Sequence, residues 1–344
     1  MSLEGHRPQW APRFGAALGR VVFALLSAAV LIVFSEKLYW YITGYTILDL
    51  LVGYFFPSFV LLTVVAAFRV RRPAALFLAG AIFGFVTEGV MTNTLYEGGP
   101  LAWFSVSYTS LAWHAPLSML FGWWWLRREL VAGRARRTAL GCAFIGLLWG
   151  LWSMAWWLPE NVADPELLAQ GARTGQWPVA AFALYAFTFT ALLALAHWLL
   201  GRGGWRATFR PSWIEGALVA AGMLVFFVTL VLPVYPWAPL RLLVLVGIVL
   251  AALYVNKRRE PSGSVLSDLV GPAQPRALAA LAFMPLVAVA VYAAGAALQP
   301  SVDVIHVITT YGLGAGTGVL GWIVFVTALI LTIRPRGAPA GPVA

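Results

Sequence analysis

Cysteine and charge are what this sequence has least of: Cys142 is its only cysteine, and 10% of its 344 residues are Asp, Glu, Lys or Arg, 13 of them acidic. One cysteine excludes an intramolecular disulfide and any Cys-based metal cluster; inside an apolar run it reads as a small packing residue. Soluble domains carry about 25% charged residues, so water is not the main solvent of this chain. The sequence also lacks the H-E-x-x-H of zinc proteases, the G-x-S-x-G nucleophile elbow and the paired D-D-x-x-D of prenyl transfer. The glycine-rich run 312–318 lies within an apolar stretch and lacks a P-loop lysine. It fits small-residue helix packing instead.

What is present is apolar. Hydrophobic residues make up 61% of the chain and the mean hydropathy is +0.83. Runs separated by charge or by Pro and Gly fall at 18–36, 44–68, 74–97, 103–126, 138–158, 178–200, 213–234, 237–256, 277–298 and 303–333. Each is long enough to cross a bilayer as a helix of roughly 20 residues, which satisfies its own backbone in lipid. The sequence therefore predicts an all-α, polytopic integral membrane helix bundle of about ten transmembrane helices, forming a single transmembrane domain. The Pro-rich stretch 232–239 reads as a tight turn between the seventh and eighth spans, because proline removes backbone donors and restricts its neighbour. The first span follows a polar, Arg-containing tail and has no small-residue cleavage site, so it reads as a retained helix.

A net charge of +10 invites a nucleic-acid reading, but the basic residues punctuate apolar runs and form no solvated patch. They act as topology signals and contacts for membrane lipids. With ten spans and a cytoplasmic N-terminus, 20 of the 23 basic residues fall in cytoplasmic segments; the exceptions are Lys37, Arg173 and Arg241. Both termini are then cytoplasmic. Many of the 17 tryptophans sit at span ends, such as Trp40, Trp103 and Trp177 outside and Trp124, Trp198 and Trp213 inside. That is the belt where amphipathic rings meet headgroups. Trp149, Trp152 and Trp156 recur at helical spacing and suggest a deeper aromatic wall. Residues 165–170 of the longest outer loop suggest a short helix, and the two halves of the chain show no internal sequence match.

Ionisable groups inside spans are costly and face a bundle interior or a cavity. Here they concentrate in one leaflet. Glu36, Lys37 and Asp49 flank the first outer turn. Glu88 lies about nine residues, or roughly 13 Å at 1.5 Å per residue, below the outer end of span three, and His114 about as far below that of span four. Equal depth on adjacent antiparallel helices allows the two side chains to meet. Helical spacing groups Gly84, Glu88, Thr92 and Tyr96 on one stripe, with Asn93 beside it, and Ser107, Ser110, His114 and Ser118 on another. Pro116 predicts a kink in span four, and Gly80 with Gly84 predicts a close approach of the two helices. These residues describe an outward-opening polar wedge.

Three readings of Glu88 and His114 stand side by side. The pair holds the hairpin as a structural hydrogen bond; it performs acid–base work on an apolar or lipid-like molecule; or Glu88 is the protonatable site of a proton- or ion-coupled transporter. A structural subunit of a membrane complex follows from the first. No metal is assigned, because two ligands under-coordinate a catalytic zinc, although His306 beside Asp303 is a potential third. No cofactor is identified.

The segments Phe34-Ser-Glu-Lys-Leu-Tyr-Trp-Tyr41, Phe85-Val-Thr-Glu-Gly-Val90, Tyr96-Glu97 and Ala112-Trp-His-Ala-Pro-Leu-Ser118 resemble a group of uncharacterised prokaryotic multi-pass membrane proteins. That resemblance covers roughly the first 130 residues. It implies a prokaryotic cytoplasmic membrane and that these positions are the family's core. Glu88-Gly-Val-Met-Thr92 is also similar to the membrane hydratases of carotenoid biosynthesis. A hydratase needs an acid to protonate an alkene and a base to position water, roles that the likeness would give to Glu88 and His114.

Overall fold

The computed structural model describes residues 11–38, 46–99, 102–161, 175–202, 209–260 and 262–334; the short helix expected over 165–170 and the belt residue Trp40 lie outside them. Among the described residues every regular element is helical. Nine helices are long and apolar enough to cross a membrane: α1 (Gly15–Lys37), α2 (Ile47–Ala67), α3 (Pro73–Met91), α5 (Ala135–Trp157), α6 (Val179–Leu200), α7 (Trp213–Val231), α8 (Ala238–Arg259), α9 (Pro275–Leu298) and α10 (Val302–Ile333). The remaining expected span, α4, is one helical stretch over 103–131. Its serines, His114, Pro116 and tryptophans leave it less apolar than the others. The chain is a multi-pass integral membrane protein.

Local chemistry explains where the helices begin and end. Thr46 and Asp49 form a reciprocal capping box that opens α2, and Ser212 with Glu215 does the same for α7. Pro73 opens α3 and Pro239 lies in the first turn of α8, where a missing N–H costs nothing. Gln299, in the left-handed region at φ 48°, stops α9.

The α3–α4 hairpin is the centre of the bundle. In α3, 89% of the most apolar window is buried, against 11% in α7, so α3 is enclosed by protein and α7 lies on the outside of the bundle. α3 packs along α4, α10, α2 and α8, while α5 and α6 pack on α9. The expected close approach is present: a methyl added to Gly80 would lie 3.0 Å from Ala115 Cα, and one added to Gly84 2.7 Å from Ser110 Cα. The aromatic wall is present too. Trp149 and Trp156 both meet Phe182 and Tyr185 of α6, and Trp152 meets Trp113 of α4. Gly318 and Gly321 of α10 lie against Phe104 and Ser107, which is the packing role expected of this glycine-rich helix.

Contacts sort the helix ends into two groups. At one end, Arg20 binds Glu215 through two hydrogen bonds of 2.8 and 2.7 Å, Arg72 pairs with Glu260 at 3.0 Å, and buried Arg127 donates to the carbonyls of Leu269, His197 and Gly271. At the other end, Arg241 donates to Leu95 O at 2.8 Å and to Ala102 O, and Tyr96 packs against Tyr235 and Trp237. The α3–α4 and α7–α8 turns therefore share an end, as alternating spans require. His197 is fully buried, and its carbonyl accepts from Arg127 at 2.6 Å.

Two expectations about the hairpin are corrected. α3 ends at Met91 instead of reaching 97: Thr92 is extended (φ −128°, ψ −173°), and its hydroxyl turns back to the Glu88 carbonyl at 3.3 Å. Thr and Asn side chains compete with helix bonds in this way. The stripe of Gly84, Glu88, Thr92 and Tyr96 therefore breaks after Glu88. Pro116 lies within a π-helical stretch, Ser107–Trp125, where i→i+5 bonding widens the turn. The four polar residues of α4 consequently face three different helices.

Candidate functional site

A cavity of about 780 Å³ lies between α1, α2, α3, α4 and α7 at the end that carries the α3–α4 turn. Leu48, Val52, Met91, Phe226 and Leu230 give it apolar walls, and Ser35, Glu36, Asp49, Glu88, Thr109 and His114 give it polar groups.

Glu88 and His114 meet. Nε2 of His114 is 2.5 Å from Oε1 of Glu88, with Glu88 8% exposed and His114 3% exposed. The other carboxylate oxygen, Oε2, accepts from Thr94 and, at 3.4 Å, from Thr92. On the far side of the imidazole, Nδ1 is 3.0 Å from Ser35 Oγ, which is 2.8 Å from Ser118 Oγ. The edge of Phe83 closes over the ring at 5.5 Å and 89°. Carboxylate, imidazole and hydroxyl thus form one continuous relay across α3, α4 and α1.

With Glu88 ionised and His114 neutral, the direction of that relay follows from which groups donate. The carboxylate only accepts, so the imidazole proton is on Nε2, Nδ1 accepts from Ser35, and Ser35 accepts from Ser118. Removing a carboxylate from water costs several kcal/mol, and bonds to charged groups return about 1.5–3 kcal/mol each. Glu88 is therefore sustained by the imidazole and the two threonines.

All three members of the relay lie in π-helical segments: Ser35 in Val33–Lys37, Glu88 in Thr87–Met91 and His114 in Ser107–Trp125. Such segments are rare in soluble proteins and cluster at functional sites. The i→i+5 bonding of these segments changes which side chains share a face relative to an α-helix.

The other residues singled out from the sequence divide into two groups. Glu36 lines the cavity and accepts from Tyr54 at 2.6 Å, and Asp49 lines its rim while bound to Thr46 at 2.7 Å. Thr92 lines it as well. Lys37 does not: the π turn carries its ammonium over the Phe189 ring, 5.3 Å from the centroid, on the α6 side. Tyr96 is buried and donates to Gly89 O at 2.7 Å, and Asn93 accepts from the Tyr96 amide at 3.0 Å, so both brace the turn behind the cavity. Ser107 donates to Gly318 O at 2.5 Å, Ser110 abuts Gly84, and Ser118 reaches the site through Ser35. His306 pairs with Glu160 at 3.1 Å and is not among the residues lining the cavity. Among the described residues no group of three His, Cys, Asp or Glu is arranged to hold a metal ion.

Ser35 and Tyr54 were not singled out by the sequence reading. Ser35 sits in an apolar run where a serine reads as a small packing residue, and its partner is 79 positions away. Its neighbour Glu36 was the available signal.

Compared with known proteins, the chain matches no family model, no curated protein and no solved structure. The two resemblances noted above rest on the quoted residues alone.

Proposed function

We propose that this membrane protein binds and processes an apolar or lipid-like molecule in the α1–α4/α7 cavity, with Glu88 and His114 as its acid–base pair. One observation carries the reading: a short carboxylate–imidazole bond at the polar floor of a cavity whose walls are apolar. The size supports it, since small-molecule sites occupy about 300–1,000 Å³. So does the wall formed by Phe226 and Leu230, because α7 is the helix most exposed to lipid and offers a lateral route from the bilayer. The basic end of the bundle faces the cytoplasm by the positive-inside rule, which opens the cavity toward the outer leaflet of a prokaryotic cytoplasmic membrane. A second reading, proton-coupled transport, draws on Glu36 as an additional carboxylate in the same cavity; its mark is pH-dependent flux that Glu88→Gln uncouples.

Native mass spectrometry of the protein released from membranes tests the first reading. Gly53 lines the cavity, and a Cβ there meets nothing within 4 Å. Gly53→Phe is therefore the substitution chosen to obstruct the cavity, with an unchanged melting temperature as the check that the bundle is intact. The wild type should carry a lipid-like adduct that Gly53→Phe loses. Glu88→Gln should keep the adduct but stop its conversion, by about 100-fold or more for a lost acid–base group. If the two variants shift only thermal stability and leave occupancy and conversion alone, the pair is structural.

A further inference from the structure

Resting on that reading of the cavity, we propose that Ser35 is the nucleophile of an acyl-transfer site whose substrates are long-chain acyl esters drawn from the bilayer. The relay has the order that nucleophilic catalysis requires: a hydroxyl within hydrogen-bond reach of a base, and the base oriented by a third group. Here the hydroxyl bonds Nδ1 at 3.0 Å and the carboxylate bonds Nε2 at 2.5 Å.

The other hydroxyls of the cavity are differently engaged. Thr87 donates to Phe83 O at 2.9 Å, Thr92 and Thr94 serve Glu88, and Tyr54 serves Glu36. Ser35 alone among these lining hydroxyls is bonded to the imidazole. Ser118 holds it from behind at 2.8 Å. Thr109 belongs to the same cavity lining, and its hydroxyl, enclosed by protein atoms, has no hydrogen-bond partner. A side-chain rotation that turned it into the cavity would supply a donor for the oxyanion formed on attack.

The steps balance within these groups. Ser35 Oγ attacks the ester carbonyl carbon and its proton passes to His114 Nδ1. The Oγ–C bond forms, and the resulting imidazolium is stabilised by Glu88, which keeps its bond to the Nε2 proton without taking it. The bond from the carbonyl carbon to the alkoxy oxygen breaks, and the alkoxide leaves with the proton from Nδ1. A water, or the hydroxyl of a second lipid, then attacks the acyl–Ser35 carbonyl and gives its proton to Nδ1. The Oγ–C bond breaks and Ser35 recovers the proton. Apolar walls at Leu48, Val52, Met91, Phe226 and Leu230 match the acyl chain.

A long-chain alkyl fluorophosphonate tests this on the purified full-length protein. Attack by Oγ forms an O–P bond and expels fluoride, with the proton leaving through His114. Intact-mass analysis and peptide mapping should find one adduct, on Ser35, in the wild type. Ser35→Ala should show none, while still binding the unreactive alkyl phosphonate that reports an intact cavity. His114→Gln should slow labelling by about 100-fold or more. If the wild type binds the phosphonate but forms no adduct, or forms it on another residue, the nucleophile assignment is overturned and the cavity reading stands. If it binds neither compound, both are overturned.

Discussion

Replacing Gly84 with alanine tests whether the contact between α3 and α4 sets the geometry of the site. The new methyl would lie 2.7 Å from Cα, 2.9 Å from Cβ and 2.9 Å from the carbonyl oxygen of Ser110. Carbon atoms rest at about 3.5–4.0 Å, so the two helices must part by roughly 1 Å at this level. The obstruction is mostly backbone, which cannot rotate away. Overpacking of this kind costs about 1–3 kcal/mol. Removing a helical glycine returns about 0.5–1 kcal/mol, leaving a net loss of about 1 kcal/mol. Glu88 and His114 each stand one turn beyond the wedge, and a bond of 2.5 Å does not survive a separation of that size. Gly247→Ala on α8 is the control, because its methyl meets nothing within 4 Å and should stabilise slightly. Unfolding in micelles, followed by tryptophan fluorescence, compares the two. If Gly84→Ala is as stable as Gly247→Ala, the close approach is not what holds the hairpin.

Arg241→Ala removes two charge-assisted bonds to the carbonyls of Leu95 and Ala102, which should destabilise the α3–α4 turn by about 2 kcal/mol or more; limited proteolysis should cut there first, and an uncut turn refutes the tether. Glu97, outside the spans, has its pKa raised by burial and by the nearby Glu88 charge. A carboxyl whose folded-state pKa is raised favours the fold while protonated and weakens it as pH climbs from its unfolded value through the raised one. Glu97→Gln should therefore give a small gain in melting temperature at neutral pH that vanishes in acid. A gain of equal size at both ends would remove ionisation as the cause.

The helices and their alternation were legible because apolar runs and basic punctuation respond to the bilayer itself, and neither needs tertiary information. The meeting of Glu88 with His114 was expected from adjacent antiparallel helices, but equal depth is not the reason for it. Gly84 lies against Ser110 and Gly80 against Ala115, so the two residues flank that level and meet through the reach of their side chains. What the sequence did not carry was rotation about the helix axes. Three π segments turn Ser35 toward His114 and Lys37 toward Phe189, and nothing in composition or spacing announces a π turn. The end of α3 was misplaced because Leu95 and Tyr96 prolong the apolar run, while the hydroxyl of Thr92 bonds back to the helix and ends it.

The low apolarity of α4 has a consequence for how the protein is made. A segment bearing serines, an imidazole and a proline partitions into lipid less readily than its neighbours do. The partner that bonds its imidazole, α3, is synthesised immediately before it. The bond between Glu88 and His114 thus lowers the cost of inserting both helices as one unit, so that assembly of the site and entry of the hairpin into the bilayer become a single event.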